Sequence, residues 1–94
     1  MKILVEYNVN YDDFNLLGVK NLKEYYDKYH NENGILFDEE SESIYYEVDV
    51  PFIPIEGQRV GTKFGICIVL YSYLELGTVS ESYFDKSRIV ITEE

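Results

Sequence analysis

Ninety-four residues with 46% apolar and 16% aromatic side chains provide for one domain and one hydrophobic core, which excludes a two-core architecture and a disordered chain. Eight bases against eighteen acids leave a net charge of −10, so the clustered cations that nucleic-acid or anionic-lipid binding requires are missing. A single cysteine, Cys67, forms no internal disulfide, and nothing in the composition calls for an oxidising compartment. The segment Met1 to Glu6 has no long apolar stretch or cleavage site and reads as a strand rather than a signal peptide. The longest apolar run, 64–74, is about half of the roughly 20 residues that a spanning helix needs. The expectation is a soluble, cytoplasmic protein with no membrane contact.

Residues 2–9 alternate, with Ile3, Val5, Tyr7 and Val9 on one face and Lys2, Leu4, Glu6 and Asn8 on the other, the period of a half-buried strand. The stretch from Asn10 to Gly18 reads as a loop pinned to the core by Phe14, Leu16 and Leu17. Asn21 then caps a helix of about ten residues, with Glu24 placed three positions later to reach back to the cap. Leu22, Tyr25, Tyr26 and Tyr29 follow at helical spacing, Glu24 and Lys28 form a favourable i,i+4 pair, and Gly34 supplies a left-handed stop.

From Ile35 the period changes. Ile35 to Phe37 is a short strand, Asp38 to Ser43 an acidic turn, and Ile44, Tyr46, Val48 and Val50 alternate with Tyr45, Glu47 and Asp49 in a clear strand. Pro51 and Pro54 allow only an edge or bent continuation, and Ile55 to Gln58 is a turn. Between Phe64 and Leu74 both faces are apolar: Phe64, Ile66, Ile68, Leu70 and Leu74 on one, Cys67, Val69, Tyr71 and Tyr73 on the other. Such a strand sits centrally in a covered sheet or meets a partner subunit with half its length. Gly77 to Lys86 is a polar connection anchored by Tyr83 and Phe84, and Arg88 to Thr92 closes the fold with Ile89 and Ile91 inward. One early helix followed by strands on short turns is an α+β pattern, one domain over 1–94 with a mostly antiparallel sheet that can curl into a small open barrel.

The charge is uneven. Nineteen residues from Asp38 to Glu56 hold seven acids (Asp38, Glu39, Glu40, Glu42, Glu47, Asp49 and Glu56) and no Lys or Arg, so residues 35–57 carry −7 of the total. Glu47 and Asp49, two apart on one strand face, stand about 6.6 to 6.8 Å apart, an interval at which carboxylates can stand in for a nucleic-acid backbone in a basic groove. Ten tyrosines and no tryptophan suit half-exposed faces and contact surfaces.

Sites of chemistry are sparse. His30 is the only histidine and sits at a helix end, where a cation favours the dipole for structural reasons alone. Cys67 lies in the most apolar strand, where burial leaves a thiol inert. Asp38 to Glu42 lacks the alternating ligands and central glycine of a calcium loop. His30-Asn31-Glu32 has no downstream cysteine pair to make a zinc deaminase motif. Gly57, Gly61 and Gly65 follow neither a phosphate-loop nor a dinucleotide order.

The stretch Val50-Pro51-Phe52-Ile53-Pro54-Ile55-Glu56-Gly57-Gln58-Arg59-Val60, with Ser87 to Ile91 at the end, resembles short phage and mobile-element proteins of unassigned function that carry a Val-Pro-Phe-x-Pro-x-x-Gly-x-x-Val turn before a closing strand. The resemblance covers roughly the second half of the chain and rests on a turn rather than a site. It implies a small barrel-like sheet and a mobile-element context, and it carries over no functional residue.

The reading that follows is a non-enzymatic, inhibitor-like protein without cofactor or metal, whose negative face engages a basic protein surface, such as that of a nucleic-acid-binding protein. Asp38, Glu39, Glu40, Glu42, Glu47, Asp49 and Glu56 supply charge and Tyr45 a contact anchor. The alternative is a structural or assembly subunit that forms homo-oligomers through strand edges or the doubly apolar strand. A small-molecule site lined by Tyr25, Tyr26, Tyr29 and Tyr46 is a third.

Overall fold

The computed structural model describes residues 1–74 and 87–94. The alternation at the start of the chain is strand β1, Lys2–Tyr7, with Ile3, Val5 and Tyr7 in the core. Its opposite face is also dry at the centre, since Leu4 is 2% exposed. Rather than half-buried, β1 is an inner strand covered on both sides.

The segment read as a loop has helical structure. The Asp12 N–H donates to the Asn10 side chain at 3.0 Å, starting the 3₁₀ turn Tyr11–Asp13, which runs into α1, Phe14–Leu17. Gly18 stops it with a left-handed φ of 72°. Phe14 is buried and Leu17 packs at the edge of the core, whereas Leu16 points out and is 87% exposed.

Asn21 caps α2, Leu22–Tyr25, through its side chain, which accepts the Glu24 N–H at 2.9 Å. The Glu24 carboxylate reaches back to the N–H of Lys20 rather than of the cap, and pairs with Lys28 at 3.5 Å. The helix then widens into a π turn, Tyr26–His30. A π turn takes up about one extra residue, so the inward position moves from Tyr29 to His30. Tyr29 is 45% exposed, while the His30 ring lies 4.8 Å from Tyr25, 5.4 Å from Phe64 and 5.8 Å from Tyr7.

Strands β2 (Leu36–Asp38), β3 (Ser43–Asp49), β4 (Arg59–Thr62), β5 (Gly65–Tyr73) and β6 (Arg88–Glu93) complete one six-stranded sheet in the order β2-β3-β1-β6-β5-β4. Among the described residues only β1 and β6 pair in parallel; the other four pairings are antiparallel. The architecture is therefore α+β with helix after the first strand, as its sequence suggests. The sheet is not closed, its two edges being β2 and β4, while the Lys63 N–H donates to the Tyr46 hydroxyl and so ties the β4–β5 turn to β3 across the inner face. The helical segments cover one face through Phe14, Leu22 and Tyr26, packed with Ile3, Val5, Ile44, Tyr46, Val69, Ile89 and Ile91. A fully buried Ile or Val contributes roughly 1.5–3 kcal/mol each.

Two-sided burial, expected of the 64–74 run, belongs instead to β1 and β6, where Leu4 and Val90 are dry on the second face. β5 lies one strand from the edge and buries only Cys67 and Val69. A bulge between Val69 and Tyr71 breaks the alternation. Tyr71 and Tyr73 consequently join Ile66 and Ile68 on the face away from the helix instead of sharing the inner face of Cys67 and Val69. The proline-containing stretch forms no strand; its turn closes with the Gln58 N–H on the Ile55 carbonyl and is tied to β5 by the Gly57 N–H on the Val69 carbonyl, Gly57 having φ 85°. The connection anchored by Tyr83 and Phe84 lies outside the described residues.

Candidate functional site

The β2–β3 ladder pairs Asp38 with Ser43 and Leu36 with Tyr45, and β3 pairs with β1 so that Tyr45 stands beside Glu6, Glu47 beside Leu4 and Asp49 beside Lys2. Side chains opposite one another share a face. Asp38, Tyr45, Glu47 and Asp49 thus project together from the face away from the helices, while Glu39, Glu40 and Glu42 sit exposed in the connecting turn.

The turn has a defined construction. The Asp38 carboxylate accepts the Glu40 N–H at 3.1 Å and the Ser41 hydroxyl at 2.9 Å, and Glu42 adopts a left-handed φ of 52°. Asp38 therefore shapes the tip, and the three glutamates are what the tip presents. Along β3 the six residue steps from Ser43 to Asp49 cover about 20 Å, so the acids form a strip rather than a compact cluster. At its far end the Asp49 carboxylate binds the Met1 ammonium at 2.7 Å, and that hydrogen-bonded charge holds its pKa below the ordinary range.

Glu56 lies elsewhere. It belongs to the turn bonded to β5, which β6 and β1 separate from β3 in the order of the sheet. Tyr45 is half-buried between Leu36 and Glu6, with only part of its ring available to a partner.

Glu6 is an acid of this face that the charge run did not include. Burial pushes its pKa up, against the opposing pull of the Arg88 charge and a hydrogen bond with Ser43. Its signal in the sequence is its even position in β1, which antiparallel pairing brings to the wet face of β3. A second unforeseen feature is an open groove of about 470 Å³ between helix and hairpin. The helical side brings Lys20 and Lys23, the hairpin Glu39 and Glu42, with Tyr11, Phe14 and Phe37 between. Lys23 pairs with Asp27 at 3.1 Å and lies 5.5 Å over the Phe37 ring.

The tyrosines named for a small-molecule site are largely engaged by the chain itself. The Tyr26 hydroxyl donates to the Ile35 carbonyl at 2.7 Å, that of Tyr29 to the Leu17 carbonyl at 3.4 Å, and that of Tyr46 accepts the Lys63 N–H at 3.3 Å. His30 is held toward its neutral form by burial, which opposes a cation at this helix end, and its Nε2 has no hydrogen-bond partner among the described residues. Cys67 is fully buried, with the Thr62 hydroxyl 3.6 Å from its Sγ. Among the described residues no three His, Cys, Asp or Glu side chains come together as a metal site, and no helix is long and apolar enough to cross a membrane. Against family models, curated proteins and solved structures alike, the chain shows no match.

Proposed function

We propose that the protein is a non-enzymatic, inhibitor-like binding protein that lays the acidic strip of its β2–β3 hairpin against a basic surface on another protein. The observation that carries this reading is that six of the seven acids in the charge run belong to one hairpin or its ends. The ion pairs of Lys23, Lys28 and Arg59 are made with Asp27, Glu24 and Glu94 rather than with acids of that hairpin, although Lys20 and Lys23 line a groove with Glu39 and Glu42. A strip about 20 Å long, with Glu47 on its stem and three glutamates at its tip, suits an elongated basic groove of the kind that otherwise holds a nucleic-acid backbone. Asp49, bound by an ammonium, contributes less to such a match than its spacing from Glu47 suggests. The resemblance of residues 50–60 to phage and mobile-element proteins fits a product made to block a partner of this kind in the cytoplasm.

The test is capture from a native lysate with two baits, the wild-type chain and the Glu39→Lys, Glu40→Lys, Glu42→Lys variant, at low and high salt. Basic proteins retained by the wild type at low salt only, and lost with the variant, support the reading. Capture indifferent to both salt and charge reversal removes it.

A further inference from the structure

The acid-poor half of the sheet carries a second surface. Of the twelve exposed large apolar residues among the described ones, seven fall between 52 and 74: Phe52, Ile55, Ile66, Leu70, Tyr71, Tyr73 and Leu74. Five of them belong to β5 or directly follow it, and the turn bearing Ile55 is bonded to β5 through Gly57 and Gln58. Exposure ranges from 36% at Leu70 to 69% at Ile55. Side chains of this size at half exposure add up to several hundred Å², the range at which an apolar patch on a monomer marks an interaction site.

The β5 bulge creates the patch. With unbroken alternation Tyr71 and Tyr73 would follow Val69 into the core; the extra residue turns both outward, beside Ile66 and Ile68. Bulges of this kind re-aim side chains, and here the re-aimed pair are amphipathic aromatics of the type that anchor interfaces. The Arg88 guanidinium lies 5.2 Å over the Tyr73 ring at the rim of the patch.

We infer that this face of β5 is an isologous dimer interface, and that its occupant is a second copy of the chain. Charge is the argument for self-association. A chain of net charge −10 repels its own copies nearly everywhere, yet residues 50–74 contain only Glu56 against Arg59 and Lys63, a net of +1. Packing β5 against β5 across a two-fold axis parallel to the strands brings two near-neutral halves together and leaves both acidic hairpins at the outer ends of the dimer. Sheet faces so packed lie about 10 Å apart, which lets Tyr71 and Tyr73 interdigitate with Ile66 of the other copy. A basic partner has no reason to choose this surface, whose charge is already slightly positive.

Sedimentation velocity of the full chain over a hundredfold range of concentration tests the inference, with Ile66→Glu and Tyr71→Glu as interface variants and Leu16→Glu, on the far side of the helices, as control. The wild type is expected to reach twice 11.1 kDa and to stay associated in high salt. Each interface variant should weaken the dimer by at least about tenfold while the control matches the wild type. Circular dichroism verifies folding; both replaced residues are more than half exposed, so the core is untouched. A wild-type chain that is monomeric throughout, or interface variants that dimerise as the wild type does, overturns the inference. Salt separates it from the acidic-hairpin reading: capture of a basic partner weakens with salt, and an apolar dimer does not.

Discussion

His30 and Glu6 are ionisable groups drawn into the fold in opposite senses. Burial among Tyr7, Tyr25 and Phe64 lowers the pKa of His30 below its ordinary 6.5, with Glu32 and Glu93 opposing. Between the lowered value and 6.5 the unfolded chain binds a proton that the folded chain refuses, so stability rises with pH through that window and levels off above it. His30→Phe keeps a ring in the cluster and removes the titration. The decline of Tm on acidification below 6.5 should shrink, and an unchanged profile would show that His30 is not its source. For Glu6 the sign reverses. Its pKa is raised above 4.5, so the folded state holds the proton longer and stability falls as pH rises through the window above 4.5. Glu6→Gln is expected to raise Tm at neutral pH and to flatten that decline. A lower Tm at neutral pH would mean that the charge earns more from Arg88 than burial removes. Neither group was legible in the sequence as buried, since His30 reaches the core by a one-residue shift and Glu6 occupies a position that alternation assigns to the wet face.

At the scale of elements, alternation and caps were readable and irregularities were not. Strands β1, β3 and β6 follow their period-two patterns, and the Asn21 cap forms the hydrogen bond to Glu24 that its spacing implies. Asn21→Ala should therefore destabilise the protein by about 1 kcal/mol, a Tm lower by ~4–8 °C for a domain of this size; an unchanged urea midpoint would show that the helix is held by packing alone. The π turn and the β5 bulge each insert one residue into a regular register, and periodicity counts residues without seeing such an insertion. Helical spacing therefore puts Tyr29 on the apolar arc without reaching His30, and plain alternation puts Tyr71 and Tyr73 with Cys67 and Val69. The helical turns of 11–17 carried a signal that composition hid, because Asn10 and Gly18 mark a cap and a stop around Phe14. On β5 a substitution at Tyr71, which is surface, reports on assembly, whereas one at Val69, 1% exposed, reports on the core.

Across the whole molecule the sheet separates charge from apolar surface. The β2–β3 half carries the acidic strip, the β4–β5 half the exposed aromatics, with the doubly covered β1 and β6 between. The acidic run was visible in the sequence; its division was not, because the sheet order places Glu56 with β5 and not with the hairpin. The proposed dimer and the proposed basic partner would use opposite halves of this sheet. The role of the acidic hairpin is tested by the association rate of the wild type and of the Glu39→Lys, Glu40→Lys, Glu42→Lys variant with the captured partner, as a function of ionic strength. The hairpin account predicts a steep fall with salt for the wild type, and for the variant a rate at low salt about 10–1000-fold lower with little salt dependence left. Equal rates and equal salt slopes for the two chains would contradict it.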